Sequence, residues 1–267
     1  MQQSQTENTQ NSGTTPARKI ALVTGSSRGL GRDTVLSLAA KGVDSIVTYR
    51  SRQDEADAVV ASLTAQGGKA VALPLDAGDV KSFGTFAADV RRVLSETWGV
   101  SRFDYLVNNA GVGAYAPFAD TTEEQFDELM NLHFKGVYFL TQKLLPLIAD
   151  GGRIVNLSSG LARFSTPGYS AYASMKGAVE VLTRYMAKEL GARGIAVNVV
   201  APGAIETDFG GGHVRDNKEL NQGIAAQTAL GRVGLPGDIG PMIAALLSDD
   251  NRWVNGQRIE VSGGIYL

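Results

Sequence analysis

Seven short apolar runs alternate along the sequence with longer segments of helical spacing, and this alternation constrains the fold more than any other feature. The runs lie at 20–24, 45–49, 70–75, 105–110, 153–158, 195–202 and 257–261. Strands separated by helices predict βαβ crossovers and a parallel sheet covered by helices on both faces. The runs are apolar almost throughout, as expected when both faces of a strand are buried. The sequence therefore predicts a single α/β domain with a doubly wound parallel sheet.

Composition narrows the classes of function. The chain has 267 residues, 43% of them hydrophobic and 19% charged, which is typical of a globular protein with a sizeable core. A formal charge of −2 gives no electrostatic reason to expect nucleic acid or a membrane surface as a partner. The absence of cysteine excludes a disulfide, a thiolate nucleophile and a Cys-ligated metal. We expect a cytoplasmic protein with no metal site.

The first eighteen residues differ from the rest of the chain. They are polar and rich in Gln, Thr, Asn and Ser, and they lack the basic start and apolar stretch of a signal peptide. Such a segment buries too little apolar surface to order itself. The sequence predicts a disordered tail at 1–18 and one folded domain at 19–267.

A glycine-rich loop, "TGSSRGLG", follows the first predicted strand and opens a helix. Ligands of parallel sheets bind at the carboxyl ends of the strands. Without side chains, Gly25, Gly29 and Gly31 allow the backbone to approach a pyrophosphate, aided by the helix dipole. The loop thus favours a dinucleotide, and the alternative is a glycine-rich turn without a ligand.

The end of the second predicted strand indicates which dinucleotide. An NAD site usually has an acidic residue at this position, which binds the 2′-hydroxyl of the ribose. Here the strand ends in "TYRSR", at residues 48–52. Arg50 and Arg52, with Arg28 from the glycine loop, suit a 2′-phosphate because guanidinium groups bind phosphate bidentately. A solvated basic turn is the alternative. The pattern favours NADP(H) over NAD(H).

Two further strand ends carry weaker signals. Asp76 either accepts a hydrogen bond from the adenine amino group or caps the helix that begins near Val80. The amides and glycine of "NNAG", residues 108–111, are common turn residues.

The fifth predicted strand is followed by a candidate catalytic set. Tyr172 and Lys176 are four residues apart on a predicted helix and therefore share a face. An ammonium group nearby lowers the pKa of a phenol, which suits Tyr172 to proton transfer with a carbonyl or alcohol. Ser159, at the end of the strand, can hydrogen-bond the same oxygen. Tyr169 and Tyr185 are alternatives, but neither has a lysine four residues later.

Together, "TGSSRGLG", "NNAG", "NLSS", "YSAYASMK" and "VNVVAPGAIET" resemble the motifs of the short-chain dehydrogenase/reductase family, in order and spacing. The resemblance runs from about Lys19 to 264. It is greatest to the group of 3-oxoacyl-carrier-protein reductases and glucose dehydrogenases. It implies a Rossmann fold with a seven-stranded parallel sheet, and hydride transfer between a nicotinamide and a carbonyl or alcohol carbon.

The resemblance also implies roles for individual residues. Ser159 orients the substrate oxygen, Tyr172 is the acid/base, and Lys176 holds the nicotinamide ribose and lowers the tyrosine pKa. The cofactor-binding positions are Gly25, Ser27, Arg28, Gly29, Leu30, Gly31, Tyr49, Arg50, Ser51, Asp76, Ala77, Asn109, Gly111, Tyr172, Lys176, Pro202, Gly203, Ile205 and Thr207.

One position departs from the family pattern. His133 stands where relatives carry an asparagine whose main-chain carbonyl holds a water between the catalytic lysine and solvent. Asn131 cannot replace it, because two residues along a helix rotate the side chain by about 200°. His133 is predicted to point inward with Phe126, Leu129, Met130 and Val137. Either it takes over the relay, with a pH dependence set by a pKa near 6.5, or it is a packed core histidine.

The substrate is the least determined feature. The segment at about 204–235, with glycines at 210–212, is predicted to be a substrate lid. His213 within it is expected to be an exposed loop residue. The candidate pocket residues are Phe118, Leu161, Arg163, Phe164 and Tyr169.

Two other functions remain open on sequence alone. One is an NADP-binding sensor or regulatory module without turnover, which the intact Ser159, Tyr172 and Lys176 disfavour. The other is a sugar-nucleotide epimerase or dehydratase of the related extended family, for which the short C-terminal part leaves little room. The family resemblance further implies a homo-oligomer, a tetramer or dimer, paired through helices at 121–149 and 169–192.

Overall fold

The computed structural model describes residues 18–267, and their strands form one sheet. Seven strands are present: β1 (Ile20–Val23), β2 (Asp44–Tyr49), β3 (Ala70–Pro74), β4 (Phe103–Asn108), β5 (Ile148–Leu157), β6 (Ala196–Pro202) and β7 (Arg258–Val261). They are ordered β3-β2-β1-β4-β5-β6-β7, and every neighbouring pair is parallel. The predicted seven-stranded, doubly wound parallel sheet is confirmed. Its order reverses between β1 and β4, which places a crevice beyond their carboxyl ends.

Helices cover both faces of the sheet. They are α1 (Gly29–Ala39), α2 (Gln53–Ala65), α3 (Phe83–Val93), α4 (Glu123–Met130), α5 (Gly136–Leu144), α6 (Ser170–Glu189), α7 (His213–Asp216), α8 (Lys218–Ala226) and α9 (Pro236–Leu246). Alternate side chains of β1 enter two separate cores: Ile20 and Leu22 pack on one face, and Ala21 and Val23 on the other. This period of two explains why the strands read as continuous apolar runs.

The boundary before β5 differs from the prediction. The helix predicted over 121–149 ends at Leu144, and β5 begins at Ile148, five residues before the predicted strand. β5 continues through the glycine pair at 151–152, with a register irregularity against β4. A Cβ at Gly152 would lie 2.7 Å from the Asp104 carbonyl oxygen. Glycine is therefore required for close strand pairing and does not end the strand.

The predicted disordered tail lies outside the described residues except for Arg18. The Arg18 Nη1 atom lies 3.4 Å from Asp44 Oδ1, and its Nε donates to the Gly42 carbonyl. Asp44 is buried and also accepts a hydrogen bond from the Trp98 indole at 2.9 Å. Arg18 thus belongs to the folded part of the chain.

No helix within residues 18–267 is long and apolar enough to cross a membrane. The same residues contain no cluster of three or more His, Asp or Glu side chains that could bind a metal ion.

Candidate active site

The glycine-rich loop joins β1 to α1 at the crevice. Gly25 and Gly29 have φ angles of 62° and 56°, a region that side chains rarely allow. A Cβ at Gly31 would lie 2.4 Å from the Gly25 carbonyl oxygen, so α1 can approach the loop only with glycine there. The side chain of Arg28, at the N-cap of α1, makes no capping hydrogen bond. The first N–H groups of α1 are therefore available to an anion.

Asn109 connects the end of β4 to this loop. Its Nδ2 donates to the carbonyls of Thr24 and Gly25, at 2.8 and 3.1 Å. Its backbone N–H donates to Thr24 Oγ1 at 2.9 Å. The side chain thus holds the glycine loop in place, a role that the predicted cofactor contact had not included.

The end of β2 presents basic groups. Arg50 and Ser51 are exposed beyond the half-buried Tyr49. Arg52 is engaged by Glu55, with Nη2 and Oε1 3.0 Å apart, whereas Arg50 makes no ion pair with residues 18–267. Arg28 lies 3.8 Å from Asp208 in the segment predicted as a lid.

The interpretation of Asp76 as a helix cap is wrong. The Asp76 carboxylate accepts from the Gly78 N–H at 2.9 Å, which makes a local turn. Asp79 instead caps the helical turn at Val80–Ser82 by accepting from the Lys81 N–H. Asp76 itself is exposed at the end of β3, beside the buried Ala77.

The structure brings Ser159, Tyr172 and Lys176 together. Ser159 follows β5, and its hydroxyl accepts a hydrogen bond from the Leu161 N–H at 3.2 Å. It is close enough to the Tyr172 phenol to lower the pKa of that group. Tyr172 and Lys176 lie on α6, one turn apart, and both are buried. The Lys176 Nζ atom donates to the Leu157 carbonyl at 2.8 Å and lies 5.5 Å from the centre of the Tyr172 ring.

The competing tyrosines are placed elsewhere. Tyr185 is 64% exposed on α6, remote from Ser159. Tyr169 precedes α6 and packs edge-on against Tyr115, with ring centres 5.5 Å apart. Only Tyr172 combines burial with the serine and lysine contacts.

Burial determines the pKa values of this group. It raises the pKa of Tyr172 above its usual value of 10.0, and the hydrogen bond from Ser159 only partly opposes this. Burial also lowers the pKa of Lys176 to about 7. The predicted lowering of the tyrosine pKa by the lysine is not found for the protein alone: the pKa of Tyr172 is raised, and desolvation is the largest cause. Tyr172 is a neutral phenol that can donate a proton.

His133 lies in a π-helical turn, Asn131–Lys135, between α4 and α5. Its side chain is 1% exposed, so the predicted inward orientation is confirmed. The Nε2 atom lies 2.8 Å from the Val112 carbonyl oxygen, and the ring packs edge-on against Tyr172 at 5.1 Å. The Nδ1 atom is buried without a hydrogen-bond partner among residues 18–267.

Two predictions about His133 and its neighbours are wrong. Burial and the nearby Lys176 charge lower the pKa of His133 to about 3, so the imidazole does not titrate near 6.5. Phe126, predicted to share the inward face, is 41% exposed on α4. Leu129, one turn further along α4, is buried, so the cover over this face of the helix ends before Phe126.

The segment predicted as a long loop at 204–235 contains α7 and α8. Phe209, which precedes them, packs against the Tyr172 ring with centres 6.0 Å apart. The next three residues, glycines 210–212, have φ angles of 63°, 77° and 79°. His213 is exposed, as expected. The segment thus reaches Tyr172 through Phe209, a contact that the sequence did not predict.

A small cavity beside Tyr172 has a mostly apolar lining. Its other lining residues are Ala114, Ala116, Thr121, Gln125, Leu129, Gly168 and Ala171. Of the predicted pocket residues, Phe118 is 86% exposed and Phe164 packs on Tyr266. Arg163 binds Glu260 instead of facing the cavity.

Comparison with known proteins finds relatives that match nearly the whole chain. The family described as enoyl-(acyl carrier protein) reductase matches residues 25–266. A hydroxynaphthalene reductase-like protein of Metarhizium brunneum is 37% identical, over 93% of this chain and 95% of its own.

Two solved structures are also similar. The promiscuous reductase LugOII, which catalyses keto-reduction at C1 during lugdunomycin biosynthesis, has a TM-score of 0.88 and 39% identity, covering 93% of this chain and 98% of its own. The landomycin C-6 ketoreductase LanV, with bound NADP and rabelomycin, has a TM-score of 0.85 and 35% identity, covering 93% and 96%. With the sheet order and the Ser159, Tyr172 and Lys176 set, these matches show that the chain belongs to the short-chain dehydrogenase/reductase family.

Proposed function

We propose that the chain is an NADP(H)-dependent oxidoreductase that transfers a hydride between the nicotinamide and a carbonyl or secondary alcohol carbon. The observation that carries this proposal is the buried Tyr172 phenol, which lies beside Ser159 and one helical turn from the buried Lys176. The similarity to reductases and ketoreductases supports it.

The crevice fits a dinucleotide. The glycine loop leaves space that a Cβ at Gly31 would fill, and the uncapped start of α1 suits a pyrophosphate. Arg50 and Arg28 would hold the 2′-phosphate that distinguishes NADP from NAD. Further contacts are assigned to Ser27, Leu30, Tyr49, Ser51, Asp76, Ala77, Gly111, Pro202, Gly203, Ile205 and Thr207. When bound, NADPH would supply the hydride.

The chain's own residues handle the proton. The Tyr172 phenol donates its proton to the carbonyl oxygen of the substrate during reduction and accepts one from the alcohol during oxidation. Ser159 Oγ accepts from the Leu161 N–H, so its own O–H is directed away from that group and can donate to the same substrate oxygen. Lys176 becomes an ammonium below about pH 7, which favours the phenolate formed after proton transfer.

For His133 we propose the relay position. A neutral imidazole can accept a hydrogen bond at Nδ1 while Nε2–H donates to the Val112 carbonyl. This leaves Nδ1, which is buried without a partner among residues 18–267, as the atom that would accept a hydrogen bond in the relay. Turnover of His133→Asn and His133→Leu tests the role: the relay fails if both retain wild-type turnover and pH profile.

The surroundings of Tyr172 favour a planar aromatic ketone as substrate. Tyr115, Tyr169 and Phe209 supply aromatic surfaces near a cavity lined by small apolar residues. Hydroxynaphthalene, named for the Metarhizium relative, is a fused bicyclic aromatic compound. In this proposal the 204–235 segment acts as the lid, and the enzyme is cytoplasmic and homo-oligomeric.

Tyr172→Phe tests the proposed role directly. The variant keeps the ring and its packing but loses the proton, so turnover should fall by about 10²–10⁴-fold. Binding of NADPH, followed by its fluorescence, should change little. An unchanged turnover in Tyr172→Phe would contradict the proposed role of the phenol. A wild-type protein that binds NADPH but reduces no ketone would favour a binding module without catalysis.

A further inference from the structure

Four charged side chains lie together beside the turn that carries Ser159. Arg258 lies between two carboxylates, with Nε donating to Glu180 at 2.7 Å and Nη1 to Glu260 at 2.8 Å. Arg163 binds Glu260 through Nε and Nη2, at 2.8 and 2.7 Å. These four residues, here called the β7 ion cluster, contain two positive and two negative charges and therefore balance.

The β7 ion cluster is more enclosed than an ordinary surface ion pair. The side chains of Glu180, Glu260 and Arg258 are only 14%, 18% and 24% exposed. The pKa of Glu260 is lowered to about 2, and the hydrogen bond from the Arg163 guanidinium is the largest cause. Planar guanidinium groups with several donors fix the orientation of the carboxylates they bind. The cluster therefore defines one geometry, unlike isolated exposed pairs.

The cluster holds both ends of the turn that carries Ser159. At the start of the turn, Arg258 Nη2 lies 3.4 Å from the Ser159 carbonyl oxygen. At its end, Arg163 directly follows the helical turn Gly160–Ala162 and is bound by Glu260. Within the turn, the Leu161 N–H donates to Ser159 Oγ. The direction of the serine hydroxyl thus depends on a turn whose two ends are both held on β7.

The cluster also contacts α6 and the last residues of the chain. Glu180 lies one turn after Lys176 on α6, and its Oε1 accepts from the Ser158 hydroxyl at 2.6 Å. Arg163 donates from Nη1 to the Tyr266 carbonyl at 3.1 Å and from Nη2 to the Ile265 carbonyl at 2.9 Å. One charge network therefore joins the serine turn, the helix of the catalytic tyrosine, and the chain terminus.

We propose that Arg163, Arg258, Glu180 and Glu260 are positioning residues that fix the Ser159 hydroxyl relative to Tyr172. Ser159 must direct its hydroxyl at the oxygen that receives the Tyr172 proton, and a small displacement of such a group weakens catalysis strongly. The catalytic part of this inference rests on the proposed oxidoreductase function. The positional part, the order of the 159–163 turn, does not.

Arg163→Met, with Arg193→Met as its control, tests the inference. Arg193 makes a matching set of contacts at the opposite, amino-terminal edge of the sheet: its Nε donates to Asp150 at 2.7 Å, and its Nη atoms donate to the carbonyls of Leu145 and Ile148. Both substitutions remove one carboxylate contact and two carbonyl contacts. General destabilisation should therefore be similar in the two variants.

The measurements are hydrogen–deuterium exchange of a peptide covering residues 159–164, and kcat and KM for a ketone. We expect Arg163→Met to raise exchange in this peptide and to lower kcat by about tenfold or more, with KM for NADPH unchanged. Arg193→Met should leave both the exchange and kcat near wild type. Arg163→Lys, which keeps the charge, should recover part of the loss.

Equal effects of Arg163→Met and Arg193→Met on exchange at 159–164 and on kcat would overturn the inference. If Arg163→Met does not fold, Glu260→Gln provides the same comparison with a smaller change of shape. If the wild-type protein reduces no ketone, the proposed function fails, but the exchange comparison still decides whether the cluster orders the Ser159 turn.

Discussion

At the scale of single residues, burial explains the chemistry of the site better than contacts between charges. The motif of tyrosine and lysine four residues apart predicted which side chains meet, because helical spacing determines that. It did not predict the direction of the tyrosine pKa, since desolvation depends on how completely the finished fold encloses Tyr172. The same holds for His133, whose inward direction was predictable and whose pKa was not.

The buried imidazole should make the protein sensitive to acid. The pKa of His133 falls from 6.5 to about 3 on folding, so between these values the unfolded chain binds a proton that the folded chain does not. The stability associated with neutral His133 is thus present above pH 6.5 and is lost as the pH falls towards 3. Compared with His133→Asn, the wild type should lose about 1.4 kcal/mol of unfolding free energy per pH unit over this range.

Denaturant titrations of both proteins at a series of pH values measure this difference. The comparison with His133→Asn removes the contributions of carboxylates that both proteins share. Parallel curves of unfolding free energy against pH would show that His133 titrates normally in the folded protein.

At the scale of elements, strand and helix order followed from the sequence, but local departures from regular geometry did not. The π-helical turn at Asn131–Lys135 could not be derived from a uniform helical period. The exposure of Phe126 was missed because helical spacing shows which side chains share a face and not how far the rest of the fold covers it. The early start of β5 was missed because the predicted strand included only the apolar run from 153 onwards. The helices α7 and α8 were missed because three glycines precede them and the segment was expected to be a loop.

Close packing of α1 against the glycine loop gives a test at this scale. In Gly31→Ala the new Cβ would lie 2.4 Å from the Gly25 carbonyl oxygen and 2.6 Å from Asn109 Nδ2. The helix must move, so we expect a loss of about 1–3 kcal/mol of stability. Binding of NADPH, measured by its fluorescence, should weaken at the same time because the N–H groups of α1 are displaced.

Gly84→Ala in α3 is the matched control. A Cβ at Gly84 meets no atom within 4 Å, so the change should leave binding unaltered and raise stability by up to about 1 kcal/mol. If Gly31→Ala bound NADPH as tightly as Gly84→Ala does, the loop would not be the pyrophosphate site.

At the scale of the whole molecule, the outer faces of the long helices remain to be explained. Val181 and Tyr185, four residues apart on α6, are 45% and 64% exposed, and Tyr138 on α5 is 43% exposed. We propose that these faces pair with a second copy of the chain. The sequence predicted helices in these regions but could not show which of their side chains stay exposed.

Tyr185→Glu should shift the molecular mass in solution towards the monomer, because a charge buried in a helix pairing is costly. Trp253→Glu, a substitution at an aromatic that is 96% exposed outside these helices, should leave the mass unchanged. Light scattering at matched concentrations measures both. A monomeric wild type, or equal behaviour of the two variants, would contradict pairing through α5 and α6.

The most direct test of the account is the consumption of NADPH and, separately, NADH with bicyclic aromatic ketones such as tetralones. The basic groups at Arg28 and Arg50, together with the buried Tyr172 set, predict ketone-dependent oxidation that prefers NADPH. The kcat/KM for NADPH should exceed that for NADH by about tenfold or more, because the free energy of one charged hydrogen bond to phosphate corresponds to about this factor. Tight NADPH binding without oxidation across the ketones, or a preference for NADH, would contradict the account.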